Sequence, residues 1–172
     1  MNRILFTLLF FFLSITSAFA GLNSIQPKLG TALVSVNQDG FDRDHAGVIA
    51  GMQLNFDHFF LHGALIDEFD LHSKANNQTY VTTSMVNLGV GVPYRLSAKW
   101  ELFGIVGYER WESKAYLLNS HVGSDEGYTP WFAVGLDFHP FWKAHLIPQL
   151  EFHQDVSGSR MTFYTLMISL EF

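Results

Sequence analysis

The chain has 172 residues, 48% hydrophobic and 16% aromatic, with 10 basic against 16 acidic side chains, eight histidines and no cysteine. The acidic balance excludes the basic footprint of a nucleic-acid binder. Without cysteine there is no disulfide staple, so a chain of this size must be held by burial and hydrogen bonding.

Residues 1–20 read as a cleavable signal peptide, and residues 21–172 as the mature domain. Arg3 supplies a basic start, residues 4–13 a short apolar stretch, and Ala18-Phe19-Ala20 the small-x-small site before Gly21. The apolar stretch is shorter than the ~20 residues a spanning helix needs. Cleavage leaves 152 residues (172 minus 20), with nine basic and 16 acidic side chains. That is one domain's worth of chain.

Next comes a strand-like segment over 28–36 whose outward face the pattern leaves open. Over 45–56, Ala46, Val48, Ala50, Met52, Leu54 and Phe56 alternate with His45, Gly47, Ile49, Gly51, Gln53 and Asn55, the two-residue period of a strand. A tight turn at 55–58 leads to residues 59–66, which put Phe59, Leu61, Gly63 and Leu65 on one face. A polar connection over 67–79 follows. Val86, Leu88, Val90 and Val92 then oppose Asn87, Gly89 and Gly91, before a short turn at 93–99. Residues 100–111 are strand-like with either phase open, and 112–127 reads as a long polar loop.

Phe132, Val134, Leu136 and Phe138 next oppose Ala133, Gly135, Asp137 and His139. After a turn at 140–143, Leu146, Pro148, Leu150 and Phe152 oppose Ile147, Gln149, Glu151 and His153. A polar connection over 154–160 leads to the final strand. There Thr162, Tyr164, Leu166, Ile168, Leu170 and Phe172 share one face, and Phe163, Thr165, Met167, Ser169 and Glu171 the other. Eight strands with short turns at one end and longer connections at the other predict an all-β, eight-stranded antiparallel up-and-down transmembrane β-barrel.

Alternation alone does not say which face meets the core, because soluble lipocalin-like barrels alternate too. Three features point the apolar rows toward lipid. The opposite face carries glycine with Gln53, Asn87, Asp137, His139, Gln149, Glu151 and Glu171, which suits a polar lumen network in a narrow barrel. Aromatic residues gather beside the short turns, at Phe56, Phe59, Trp100, Phe138, Trp142 and Phe172, as in a membrane-interface girdle. A looser set, Tyr80, Tyr108, Trp111, Tyr128 and Trp131, falls near the long-connection ends. The central outward positions carry no charge, where Arg or Lys would cost ~2–4 kcal/mol each.

With its signal ending Ala18-Phe19-Ala20, its glycine-alternating segments Asn87-Leu88-Gly89-Val90-Gly91 and Ala133-Val134-Gly135-Leu136-Asp137-Phe138, and its terminal Tyr164-to-Phe172 strand, the chain resembles the OmpA/OmpX-type small outer-membrane β-barrels. The resemblance implies a multi-pass barrel in a Gram-negative outer membrane, in contact with lipid and lipopolysaccharide. It also implies a terminal aromatic, here Phe172, read by the barrel-assembly machinery. The expected role is structural or surface-interacting, with no cofactor and an unknown extracellular partner. An eight-stranded lumen is filled by side chains, so an open pore is not expected.

Two further chemistries have partial support in the sequence. A lipid A deacylase of the PagL type would need a surface Ser/His/acid arrangement. His153, Asp155 and Ser157 follow at two-residue spacing, but the His-x-Ser element of that family is missing. The eight histidines show no compact ligand motif, so no metal site is expected; a rim site from His45 and His153 beside Asp44 and Asp155 is the alternative. Lys74, Arg110, Lys114 and Arg160 lie near the outer boundary, where cations meet lipopolysaccharide phosphates.

Overall fold

A computed structural model describes residues 21–37, 44–72, 79–118, 120–141, 143–156 and 158–172. The signal segment lies outside them. Eight strands, β1 (Ser24–Asn37), β2 (Asp44–Asn55), β3 (Phe60–His72), β4 (Thr79–Arg95), β5 (Trp100–Leu117), β6 (Ser120–Phe141), β7 (Ala144–Val156) and β8 (Ser159–Leu170), each pair antiparallel with the next. β8 returns to β1, from Lys28↔Ser169 to Asn37↔Arg160, and closes the barrel. The closure runs past the last strand, where the backbones of Ile25 and Phe172 exchange hydrogen bonds of 3.0 and 3.1 Å. A closed ladder leaves no sheet edge around the wall, the condition for placing strands in hydrocarbon.

The outward rows are those the alternation selects. Val48, Leu88, Val90, Val92, Val134, Leu146, Leu166, Ile168 and Leu170 are all exposed. The two open phases are now fixed: β1 turns Leu29 and Leu33 out, and β5 turns out Leu102, Val106 and Tyr108. Left in water, each outward leucine or valine would forgo ~1.5–3 kcal/mol of burial.

The interior corrects the expectation of a lumen of small and polar residues. Phe60, Phe69, Phe103, Trp131, Phe163, Met85, Ile105 and Ile147 all belong to a buried apolar cluster. The inward glycines make room for it. Phe60 faces Gly91 and Phe103 faces Gly135 as direct cross-strand partners, and Trp131 and Trp111 face Gly107 and Gly127 in the same way. A Cβ at Gly127 would stand 2.6 Å from the Trp111 ring, and one at Gly107 would stand 2.8 Å from Trp131 Nε1. Each ring therefore lies flat over a position without a side chain. Trp111 and Trp131 thus leave the outer girdle in which the sequence places them, because strand alternation and these niches turn both inward; they are 6% and 2% exposed.

Residues 112–127 are not a loop. β5 and β6 stay paired through Leu117↔Ser120, with β4 paired alongside as far as Thr79↔Leu117, so these strands rise beyond β7. Glu112 stands directly opposite Glu126, and the repulsion is offset by Arg110 at 2.6 Å from Glu126 and Lys114 at 3.3 Å from Glu112. Tyr80 of β4 stacks on Tyr116 at 4.9 Å between ring centroids. Among the described residues, β6 pairs with β7 only from Trp131↔His153 toward the short turns. Residues 120–127 consequently carry a strand edge beyond the top of β7, while Thr129 Oγ1 still donates to the Gln154 carbonyl.

Candidate functional site in the lumen

Three groups of inward polar residues stand out along the barrel axis, where the sequence suggests a single network. In the middle, β5, β6 and β7 bring together Glu109, Trp131, Glu151 and His153, all 2% exposed or less. His153 Nδ1 lies 2.5 Å from Glu109 Oε2, and its Nε2 lies 3.3 Å from Glu151 Oε2. Asn87 Nδ2 donates to that same Glu151 oxygen at 3.5 Å. Trp131 lies parallel to the imidazole at 6.0 Å and Phe163 packs on it at 4.2 Å between centroids. A histidine held between two carboxylates and walled by rings has no path for a substrate; the arrangement joins three strands.

Nearer the short turns, Lys28 Nζ donates to Gln53 Oε1 at 2.6 Å, Gln53 Nε2 to Asn55 Oδ1 at 2.6 Å, and Asn55 Nδ2 to Ser24 Oγ at 2.9 Å. The ammonium also lies 5.9 and 5.6 Å from the ring centroids of Phe60 and Phe103, within cation–π reach. Gln149 is buried between the groups, and its side-chain amide meets no hydrogen-bond partner among the described residues.

At the short-turn mouth, Asp137 and His139 from β6 meet His145 from β7. His145 Nδ1 lies 2.9 and 3.0 Å from the two Asp137 oxygens, and His139 Nε2 lies 3.5 Å from Asp137 Oδ1. Glu171 Oε2 is 3.6 Å from His145 Nε2. His139 and Glu171 are only partly enclosed, with side-chain exposures of 30% and 35%.

Sequence reasoning missed Lys28, Glu109 and His145. The first two lay on strands whose phase was open. Continuing the inward row Ile147, Gln149, Glu151 backward by one step finds the third.

The surface triad does not form. His153 faces the lumen, while Asp155 is exposed with φ +59°. A register shift between His153 and Val156 interrupts the two-residue alternation that would align them. Ser157 lies outside the described residues. The same inward turn takes His153 away from the rim, and the side chains of Asp44 and His45 lie outside the described set.

Of the girdle residues, Phe56 stacks on Phe59 at 4.7 Å and Trp100 on Phe138 at 4.4 Å. Phe172 is 72% exposed, and Trp142 lies outside the described residues. Tyr108 and Tyr128 stand outward toward the other end.

No family model and no curated protein matches this chain. Solved structures do. Ail, the attachment invasion locus protein of Yersinia pestis, is 15% identical, with 90% of this chain covering all of that one at a TM-score of 0.67. The chain has the fold of the small outer-membrane β-barrels. The Neisserial surface protein A barrel matches at TM-score 0.64 with 8% identity, 87% of this chain covering 96% of that one. The N-terminal β-barrel domain of Pseudomonas aeruginosa OprF matches at 0.61 with 13% identity, 89% of this chain covering all of that one. At these identities the likeness to such barrels is one of architecture: closed wall, strand number and order.

Proposed function

We propose that this protein is an integral outer-membrane barrel whose role is structural and surface-interacting, with the short turns in the periplasm and the β5–β6 hairpin outside. The observation that carries the reading is the uncharged apolar band on the outside of a closed barrel. A soluble ligand-binding barrel would instead cover that band with charge. The packed apolar interior speaks against an open pore, and the lumenal position of His153 removes the support for lipid A hydrolysis.

In this reading the first twenty residues are removed on export, Phe172 is recognised by the barrel-assembly machinery, and lipid and lipopolysaccharide surround the wall. Arg110, Lys114 and Arg160 stand where lipopolysaccharide phosphates would meet them. A solved complex of Ail contains the heparin analogue sucrose octasulfate. Here Arg110 and Lys114 are matched by Glu126 and Glu112, and a hydrogen bond to Glu112 holds the Lys114 ammonium above its ordinary pKa. The projecting strand edge over 120–127 therefore favours an extended protein segment over a polyanion as partner, through main-chain pairing.

Cell fractionation tests the placement. The protein is expected in detergent-requiring outer-membrane fractions, migrating differently on gels before and after boiling. Trypsin added to intact cells is expected to cut in the hairpin at Arg110 or Lys114 and leave the wall intact. Recovery in the soluble periplasm, or cleavage confined to the short turns, would contradict it.

A further inference from the structure

We propose that the short-turn mouth is a binding site for a divalent transition cation of the zinc class, with Asp137, His139 and His145 as ligands. The fold builds this group in a local way. Asp137 and His139 are two residues apart on β6 and share its inward face, and the tight turn brings His145 back beside them on β7. A register shift between Phe138 and Phe141 relaxes the ladder at that point. Residues at most eight apart in the sequence, with no recognisable ligand spacing, thereby converge on one point.

The distances fit the chemistry. One donor atom from each residue lies within 4.8 Å of the others. The Asp137 Oδ1 separations of 2.9 Å from His145 Nδ1 and 3.5 Å from His139 Nε2 bracket the ~3.3 Å between ligands of a tetrahedral ion with bonds of about 2.0–2.2 Å. The two imidazoles stand 4.3 Å apart between centroids and 58° from coplanar, tilted instead of stacked. Two imidazoles and one carboxylate select a borderline ion such as zinc over calcium or magnesium, which take oxygen ligands.

The surroundings of this mouth supply the rest of such a site. His145 Nε2 faces Glu171 Oε2 at 3.6 Å, the carboxylate-to-histidine support that orients a ligating imidazole. Gln26 Oε1 and Ser169 Oγ, both buried, have no hydrogen-bond partner among the described residues, and Ser169 stands directly across the ladder from His145. Glu101 is the direct partner of Asp137 across β5 and β6. Like charges so placed repel; Arg95 answers Glu101 from the far side, and a bound dication would answer Asp137. With three protein ligands the fourth position opens at His139, toward the periplasmic side. The ion would tie β6 to β7 there, and Glu171 would bring in the chain's end beside β8.

The test uses the untagged full barrel, refolded in detergent micelles, stripped with chelator and titrated with zinc chloride alone by calorimetry. One equivalent is expected to bind. His139→Ala, at a partly exposed position with little fold to lose, and Asp137→Asn are each expected to weaken binding at least about tenfold, since support residues alone are worth that much. His58→Ala, at an exposed histidine in the first short turn, is expected to bind as wild type. Cobalt at the same site is expected to show the intense visible bands of four-coordination. Absence of stoichiometric zinc uptake by the folded wild type, or uptake unchanged in both His139→Ala and Asp137→Asn, overturns the site. Circular dichroism of each variant confirms the barrel in which the result is read.

Discussion

Val90→Arg is expected to destabilise the barrel in a lipid bilayer by roughly 2–4 kcal/mol, the cost of a cation held at mid-depth on the lipid side. Val90 stands on the outward face of β4 between Leu88 and Val92. Its ladder partners, Leu61 and Val106, carry the same apolar row around the wall. Neither offers a carboxylate to pair with a guanidinium. Refolding into phospholipid vesicles across a urea gradient measures the loss directly. The same substitution on a barrel in water would place a charge among solvent, with an effect within about 0.5 kcal/mol. An unfolding midpoint in vesicles equal to that of wild type would therefore count against the lipid-facing assignment.

Glu109→Ala is expected to cost still more, roughly 3–5 kcal/mol, because it leaves the rest of a buried charged group without its partner. Glu109 and His153 are enclosed on every side, and the contact between them is the closest in the mid-lumen group. Opening the site to water would require separating β5 from β7 across Trp131. The comparison that isolates the cause is a triple replacement, Glu109→Met with Glu151→Met and His153→Leu, which removes all the charge while keeping the volume. Buried ionic groups exchanged whole for apolar ones are often neutral or better. The triple variant is thus expected to recover most of what the single one loses. If both lose equally, the loss comes from packing, and the ionic account fails.

The strands were legible where one face differed sharply from the other. On β8, Leu166, Ile168 and Leu170 stand against Thr165, Met167 and Ser169, and a period of two is all that is needed. β5 resisted because both of its faces are apolar: Leu102 and Val106 look outward while Phe103 and Ile105 fill the interior. No alternation can choose between them, so Glu109 went unplaced and the mid-lumen group was half seen. The glycines misled in a different way. Gly91 and Gly135 read as signs of a small, polar lumen, yet each, like Gly107 and Gly127, is the floor under a ring supplied by the strand beside it. That information lies in the cross-strand register, which pairs residues up to some thirty positions apart, and not in any local window.

The hairpin was concealed by its composition. Residues 112–127 are polar, as the proposed placement above the membrane requires, and polarity there resembles a loop although the ladder continues. His153, Asp155 and Ser157 failed for the opposite reason, since the sequence pattern is regular and the strand is not. In the same way the mouth group of Asp137, His139 and His145 carries no spacing that marks it; a turn and a register shift assemble it.

A nitroxide scan along β8 tests the lipid-facing wall most directly, and the chain has no native cysteine to interfere. Single cysteines placed in turn from 164 to 169 would be labelled and their collisions with oxygen and with a water-soluble nickel reagent measured in vesicles. High oxygen and low nickel accessibility is expected at 164, 166 and 168, with both low at 165, 167 and 169. Nickel reaching the first set, or a scan in which the two sets exchange roles, would mean that the Leu and Ile rows do not face hydrocarbon.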